Sequence, residues 1–365
     1  MERFANTTAY IDALLQQLGI PYLEVSVSQG DQVLYEHTVK PEEYGDRNKL
    51  YMYSCTKPIT AVCVMQLVEA GKLDLEERLV DYFPAFRESY YLDEAGNQVK
   101  AGDQITLRHL MSMSAGLSYN YRIPAYEALH ENGAQPITAQ IMDAMAQMPL
   151  QFKPGEKFLY SVCLDVMAAV VEKVAGMRFA DYVSKYIFQP LHMDNSHFVD
   201  NDKEHMIPGY IYKDGKLELA PVENAMVKSV NFDSGGAGLI STAEDYAKFG
   251  RALANDGKGP DGYQLLKPET IARMATVEID AARGFSCVHG TDYSYGLGVR
   301  VRIKDTDWGL NKGEYGWDGA ASSFLLVDPK NKISVVMGMH LRGWPTIFRN
   351  KHLAITEQIY RDLKL

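Results

Sequence analysis

Four cysteines in 365 residues, Cys55, Cys63, Cys163 and Cys287, make no Cys-x-x-Cys pair and suggest no disulfide framework. Their scarcity predicts a reduced, cytoplasmic setting. The amino-terminal Met-Glu-Arg-Phe-Ala-Asn-Thr-Thr lacks the charged-then-apolar pattern of a signal peptide, so no glycan is expected on Asn6. No apolar run approaches the roughly 20 residues needed to span a bilayer. Basic charge is short as well. The chain carries 37 Lys and Arg against 47 Asp and Glu, a net charge of −10, with no basic run to concentrate a positive field. Nucleic acid and anionic membrane are therefore excluded as main partners. The nine histidines form no His-Glu-x-x-His or other ligand cluster, so no metal is expected. No Gly-x-Gly-x-x-Gly follows a strand pattern, and no Gly-x-Ser-x-Gly elbow occurs. No cofactor is implied. What is present, 46% hydrophobic and 23% charged residues, describes a globular chain large enough for two lobes.

Residues 3–18 predict a helix with Phe4, Tyr10, Ile11, Leu14 and Leu15 as its apolar stripe. Leu23–Gln29 alternates as a strand, Gly30-Asp31 makes a turn, and Gln32–His37 returns as a hairpin. Residues 72–232 look mainly helical, with Met167–Ala175 before Gly176 the clearest helix. Strand patterns return at Tyr295–Ile303, Glu314–Trp317, Ser322–Val327 and Ile333–Met339, and a helix over about 349–363 closes the chain. Sheet, helices, then sheet predicts an α+β fold: a mostly antiparallel sheet flanked by helices, with an inserted, mainly helical lobe. The sheet lobe would take residues 1–71 and 235–365, and the helical lobe 72–234.

Ser54-Cys55-Thr56-Lys57 stands at the start of an apolar helix that runs to Gly71. Pro58 is tolerated in a helix only within its first turn, which places the helix start close to Ser54. Residues three apart share a helical face, so Lys57 Nζ can reach Ser54 Oγ. The unpaired N–H groups of that first turn can face a developing alkoxide. This suits a serine nucleophile activated by a neutral lysine. A lone Ser-x-x-Lys also arises by chance in a chain of this composition, so the motif needs company.

Two further stretches supply it. Tyr160, after the Pro154-Gly155 turn and before a helix, can place its phenol beside the serine and lysine to carry a proton to a leaving group. In Tyr315-Gly-Trp317-Asp318-Gly319-Ala320, the Ala320 N–H facing that of Ser54 would make an oxyanion hole. Tyr119, in Gly116-Leu-Ser-Tyr119, is a reserve candidate for a cleft-lining phenol.

In this order and spacing the chain resembles the serine β-lactamase and penicillin-binding-protein superfamily, in its class C-like serine hydrolase and esterase branch. Supporting segments are Tyr53–Ala61, Gly71–Leu75, Ile105–Leu110, Val171–Gly176 and Gly235–Asp245, and the likeness spans roughly residues 20–345. The resemblance implies a β-lactamase/transpeptidase-like fold with the active site between the lobes. It implies an acyl-enzyme on Ser54, with Lys57 and Tyr160 handling protons.

Departures from that family point to the substrate. Val162 stands where β-lactamases and peptidases carry an amide-binding asparagine, and Trp317 stands where they carry a strand lysine. Asp318 adds negative charge beside it, and Gly319 keeps the strand open to a substrate. Anionic amides fit such a cleft poorly, whereas an indole suits an acyl chain. Val162, Trp317, Asp318, Gly319 and Tyr119 are the expected substrate-binding residues. The predicted activity is a carboxylesterase on small neutral acyl substrates. A D-amino-acid peptidase or β-lactamase, an acyltransferase, and a non-enzymatic scaffold are the alternatives. Oligomeric state is not encoded in any motif.

Overall fold

Neighbouring side chains on the central strands enter different apolar layers, and that alternation sets the architecture. The computed structural model describes every residue except 1, 130, 199–202, 214, 225, 228, 288 and 344–346, with the backbone alone at 2, 132 and 347–350. Helix α1 (Ala5–Leu18) leads into strands β1 (Leu23–Gln29) and β2 (Gln32–Val39), and α2 (Thr56–Glu69) follows. After α3 (Cys163–Ala175) and α4 (Ala243–Ala254) come β3 (Tyr293–Tyr295), β4 (Arg300–Arg302), β5 (Tyr315–Asp318), β6 (Phe324–Asp328) and β7 (Ile333–Gly338). Helix α5 (Ile347–Leu363) closes the chain.

The seven strands form one antiparallel sheet in the order β2-β1-β7-β6-β5-β4-β3. Phe324 and Leu326 of β6 join Val335 and Met337 of β7 under α1 and α5. Leu325, Val327 and Val336, one residue out of phase, join the other core with α2, α3 and α4. Gly250 lets α4 lie close on the sheet, since a Cβ there would meet Leu325 Cδ1 at 2.9 Å. The mixed helix and antiparallel sheet predicted from the sequence is the fold observed.

Helix α2 runs through the middle of the larger core, with Thr56 to Met65 all buried. A helix apolar on every side has to be enclosed. The start differs in detail from the expectation. Ser54 sits in a 3₁₀ turn, Tyr53–Cys55, just ahead of the α-helix. Gly176 closes α3 in the left-handed conformation at φ 66°.

Two expectations are corrected. Tyr295–Ile303 is not one strand but two short ones, β3 and β4, with a turn between them. Gly298 takes φ +79° in that turn and presses on α2, where a Cβ would meet Ala61 Cβ at 2.7 Å. Packing against the helix, rather than strand propensity, decides the break. The stretch 72–232 has only short helices besides α3, and it includes two hairpins, Tyr90–Leu92 with Gln98–Lys100 and Gly209–Lys213 with Lys216–Ala220.

Candidate active site

Tyr53 holds φ +45°, a left-handed conformation costly for an aromatic residue, and it turns the chain sharply at Ser54. Lys57 lies one turn further, fully buried at the head of α2. Its Nζ lies within hydrogen-bond distance of three oxygens: Ser54 Oγ at 3.2 Å, the Tyr119 hydroxyl at 3.1 Å and the Gly236 carbonyl at 2.8 Å. Three oxygens around one nitrogen give the amine one fixed position.

The Gly236 peptide is itself held from behind. Asp165, buried in the first turn of α3, accepts from Gly236 N at 3.1 Å and from Ser234 Oγ at 2.5 Å. Burial raises the Asp165 carboxyl above its ordinary range, with Lys57 pulling it back down. Thr60 Oγ1 donates to the Gly235 carbonyl at 2.7 Å, and Thr56 Oγ1 accepts from Leu239 N at 3.0 Å. One face of α2 thus grips the segment Gly235–Leu239. A side chain at Gly236 would strike Asp165 Oδ2 at 2.4 Å. Asp165 escaped the sequence reading, although a lone acid within the apolar run Leu164–Val171 was its signal.

Tyr160 comes to the same place from the other side of the cleft. Its ring centroid is 4.6 Å from Lys57 Nζ, and its hydroxyl accepts the Trp317 indole N–H at 3.2 Å. Tyr119 meets Tyr160 edge-on with centroids 5.7 Å apart, and burial pushes the Tyr119 phenol well above its ordinary range. Trp317 packs between Tyr160 and Tyr295, at 5.4 and 5.2 Å. Cys55, next to the serine, is not a competing nucleophile. Burial raises its thiol to about 12, and its Sγ donates to the Trp317 carbonyl at 3.7 Å.

A cavity of about 230 Å³ opens above Ser54, walled by Phe158, Tyr160, Ser286, Cys287, Trp317, Asp318 and Ala320. Ala320 occupies a tight turn closed by Ser322 N–H on the Gly319 carbonyl at 3.0 Å. Among the described residues, no hydrogen-bond acceptor meets the Ala320 N–H. The structure therefore brings Ser54, Lys57, Tyr160, Trp317 and Ala320 together. Phe158, Ser286 and Cys287 carried no motif, and only the fold reveals them as walls.

Four expected substrate-binding residues stand elsewhere or act otherwise. Val162 is fully buried at the cap of α3, in the core rather than the cavity wall. Gly319 is packed against Ser323 and Met52, with its N–H spent on the Ser323 carbonyl at 2.8 Å. Tyr119 sits behind the wall on Lys57. Asp318 borders the cavity, but its charge is not free. It bonds His289 Nε2 at 2.9 Å, Arg300 Nη1 at 3.1 Å and His352 Nδ1 at 3.3 Å. Burial alone would raise its carboxyl, yet His289 and Arg300 hold it well below the usual range. The expected negative cleft is thus neutralised by the buried Arg300.

His289, Asp318 and His352 also gather potential ligand atoms within 4.8 Å, a grouping invisible in the linear sequence. Arg300 already occupies the same carboxylate, so the group forms a charge-balanced buried network. Among the described residues, no helix is long and apolar enough to cross a membrane.

The sequence model of the Beta-lactamase family matches residues 7–358. The chain is 27% identical to a lovastatin esterase of Penicillium rubens over 340 residues, 83% of this chain and 82% of that protein. It is 28% identical to esterase EstB of Burkholderia gladioli over 319 residues, 78% and 75% of the two chains. The solved structure of EstCE1, described as a hydrolase with promiscuous acyltransferase activity, superposes with a TM-score of 0.81 at 22% identity, covering 98% of this chain and 99% of that one.

Proposed function

We propose that this chain, which belongs to the beta-lactamase family, is a serine carboxylesterase that forms its acyl-enzyme on Ser54. The observation that carries the reading is the enclosed Lys57 amine, 3.2 Å from the Oγ of Ser54, which itself lines a cavity walled by aromatic rings. Ser54 Oγ attacks the ester carbonyl while a neutral Lys57 takes its proton. The backbone N–H groups of Ser54 and Ala320 receive the oxyanion. Tyr160 donates to the departing alcohol. Water then repeats the sequence on the acyl-enzyme.

The cavity favours small neutral acyl groups. Phe158 and Trp317 offer apolar surface, worth about 25 cal/mol per Å² buried. No lysine stands on β5 to meet a ligand carboxylate, and the nearby Arg300 is fully buried and already paired. Four free cysteines support a cytoplasmic setting. Transfer of the acyl group to another alcohol is the second reading, favoured by the likeness to EstCE1 and by the absence from the described cavity wall of any charged side chain besides the paired Asp318.

A fluorophosphonate should label wild-type protein at Ser54, and Ser54→Ala should abolish that labelling. The wild type should cleave p-nitrophenyl butyrate faster than a chromogenic cephalosporin or a D-Ala-D-Ala peptide. Faster cephalosporin turnover would replace this reading with a β-lactamase. Adding an alcohol acceptor and measuring ester product against free acid separates transfer from hydrolysis.

A further inference from the structure

A second cavity, about 440 Å³, lies at the end of α2 remote from Ser54. Gln66, Met177, Tyr182, Tyr186, Tyr263 and Leu265 line it, and none of them borders the active-site cavity. Lys57 and Gln66 stand about 14 Å apart along α2, at 1.5 Å of rise per residue. The rings of Tyr182 and Tyr186 meet with centroids 4.6 Å apart. An apolar hollow of roughly 150 Å³ already holds a benzene ring, so an aromatic ligand has room here.

One polar atom of that lining lacks a partner. Gln66 Nε2 spends its two hydrogens on the Leu265 carbonyl at 3.1 Å and the Tyr186 carbonyl at 3.4 Å. Those bonds fix which end of the amide is oxygen, and Oε1 is buried with no donor among the described residues. Tyr263 has no hydrogen for it, because its hydroxyl donates to the Tyr186 carbonyl at 2.6 Å. A buried acceptor left unpaired costs free energy that a ligand hydroxyl would recover. Charge points to a neutral ligand. Lys72 and Lys267 are exposed, so the cations of the lining stand at its mouth, and Glu69 there accepts the Lys267 N–H at 3.0 Å.

We propose that this cavity is a second binding site, for a small neutral phenol or aromatic alcohol whose hydroxyl donates to Gln66 Oε1 while its ring packs among Tyr182, Tyr186 and Tyr263. The tyrosine rings offer the ligand ring offset or edge-on contacts. A carboxylate would set a second acceptor against the amide oxygen, and a plain arene would leave that oxygen unpaired. The site shares no lining residue with the Ser54 cavity, so its occupation does not depend on the reaction there.

Phenol is the probe, with toluene and benzoate beside it, each titrated calorimetrically into the whole protein. Phenol should bind with a dissociation constant of about 1 mM or tighter, the scale for a ligand of about seven heavy atoms. Toluene and benzoate should bind about fivefold or more weakly, the effect of one neutral hydrogen bond. Met177→Trp fills the cavity with an indole and should abolish phenol binding while leaving p-nitrophenyl butyrate turnover unchanged. Undiminished binding in Met177→Trp would place phenol elsewhere, and equal affinity for toluene would deny the hydrogen bond. Either result overturns the proposal, as does the lack of saturable binding below about 10 mM. A phenol-soaked crystal of the wild type decides the matter should the variant fail to fold. Density for phenol beside Gln66 Oε1 is expected, and a crystal without it there would overturn the assignment.

Discussion

The indole N–H of Trp317 donates to the hydroxyl of Tyr160 at 3.2 Å. One side chain thereby walls the cavity and fixes the Tyr160 phenol that borders it. The strand lysine expected of a β-lactamase or peptidase is absent here, and what stands in its place is a neutral donor with a broad apolar face. Cys55 Sγ, bonded to the Trp317 carbonyl, ties the strand to the turn that carries Ser54.

Trp317→Phe retains an aromatic wall and deletes the donor. It should lower kcat/KM for a short alkyl ester about tenfold, the scale of one neutral hydrogen bond of about 1.4 kcal/mol, with little change in KM. Trp317→Lys should shift the ratio of activities toward anionic substrates, measured as p-nitrophenyl butyrate against a cephalosporin. An unchanged ratio would mean the indole does not set substrate charge.

Lys57→Ala should lower kcat/KM for p-nitrophenyl butyrate more than about a hundredfold, the usual scale of a lost general base. Near-native turnover would assign the base to another group.

Gly236→Ala tests the support beneath that lysine. Its Cβ would lie 2.4 Å from Asp165 Oδ2, so either the carboxylate or the peptide must move. Urea unfolding should show a loss of about 1–3 kcal/mol, the range for overpacking, together with a fall in kcat as the carbonyl leaves Lys57. Full activity in a destabilised protein would separate Gly236 from lysine placement.

Asp318→Asn leaves Arg300 with Glu314 as its remaining acidic partner and should destabilise the fold by about 3 kcal/mol at pH 7. The Asp318 carboxyl is held below its ordinary value, so its stabilising contribution is complete above the unfolded value of about 4. That contribution fades as pH falls through the depressed folded value. The gap between wild type and variant should therefore hold from pH 7 to about 5 and narrow in stronger acid. A gap that widens on acidification would reverse the sign assigned here.

Among the four thiols only Cys287 is partly exposed, and it borders the cavity. Native protein should take up one bulky maleimide, at Cys287, and lose ester turnover by obstruction. Cys287→Ala should remain active and resist the reagent. Modification at Cys55 in the folded protein would contradict its burial.

Local geometry explains what could be read from the chain alone. Ser54 and Lys57 are a helical turn apart, so their contact needs no distant partner, and Pro58 locates the start of that turn. Alternation and a Gly-Asp turn suffice for the hairpin β1–β2, and Gly176 suffices to end α3. Trp317 in place of a lysine is likewise visible without a structure. Tertiary packing decided the rest. Tyr119 meets Lys57 across 62 residues, and Trp317 meets Tyr160 across 157, separations over which no periodicity operates. Asp318 looked like free negative charge because Arg300, His289 and His352 reach it from three other segments. Val162 looked like a cleft residue because its neighbour Tyr160 is one, yet the cap of α3 turns it into the core. Sequence specifies which groups lie within a helical turn or a strand pair of one another; which charges are cancelled and which hydroxyl an amine touches is settled when remote segments are pressed together out of water.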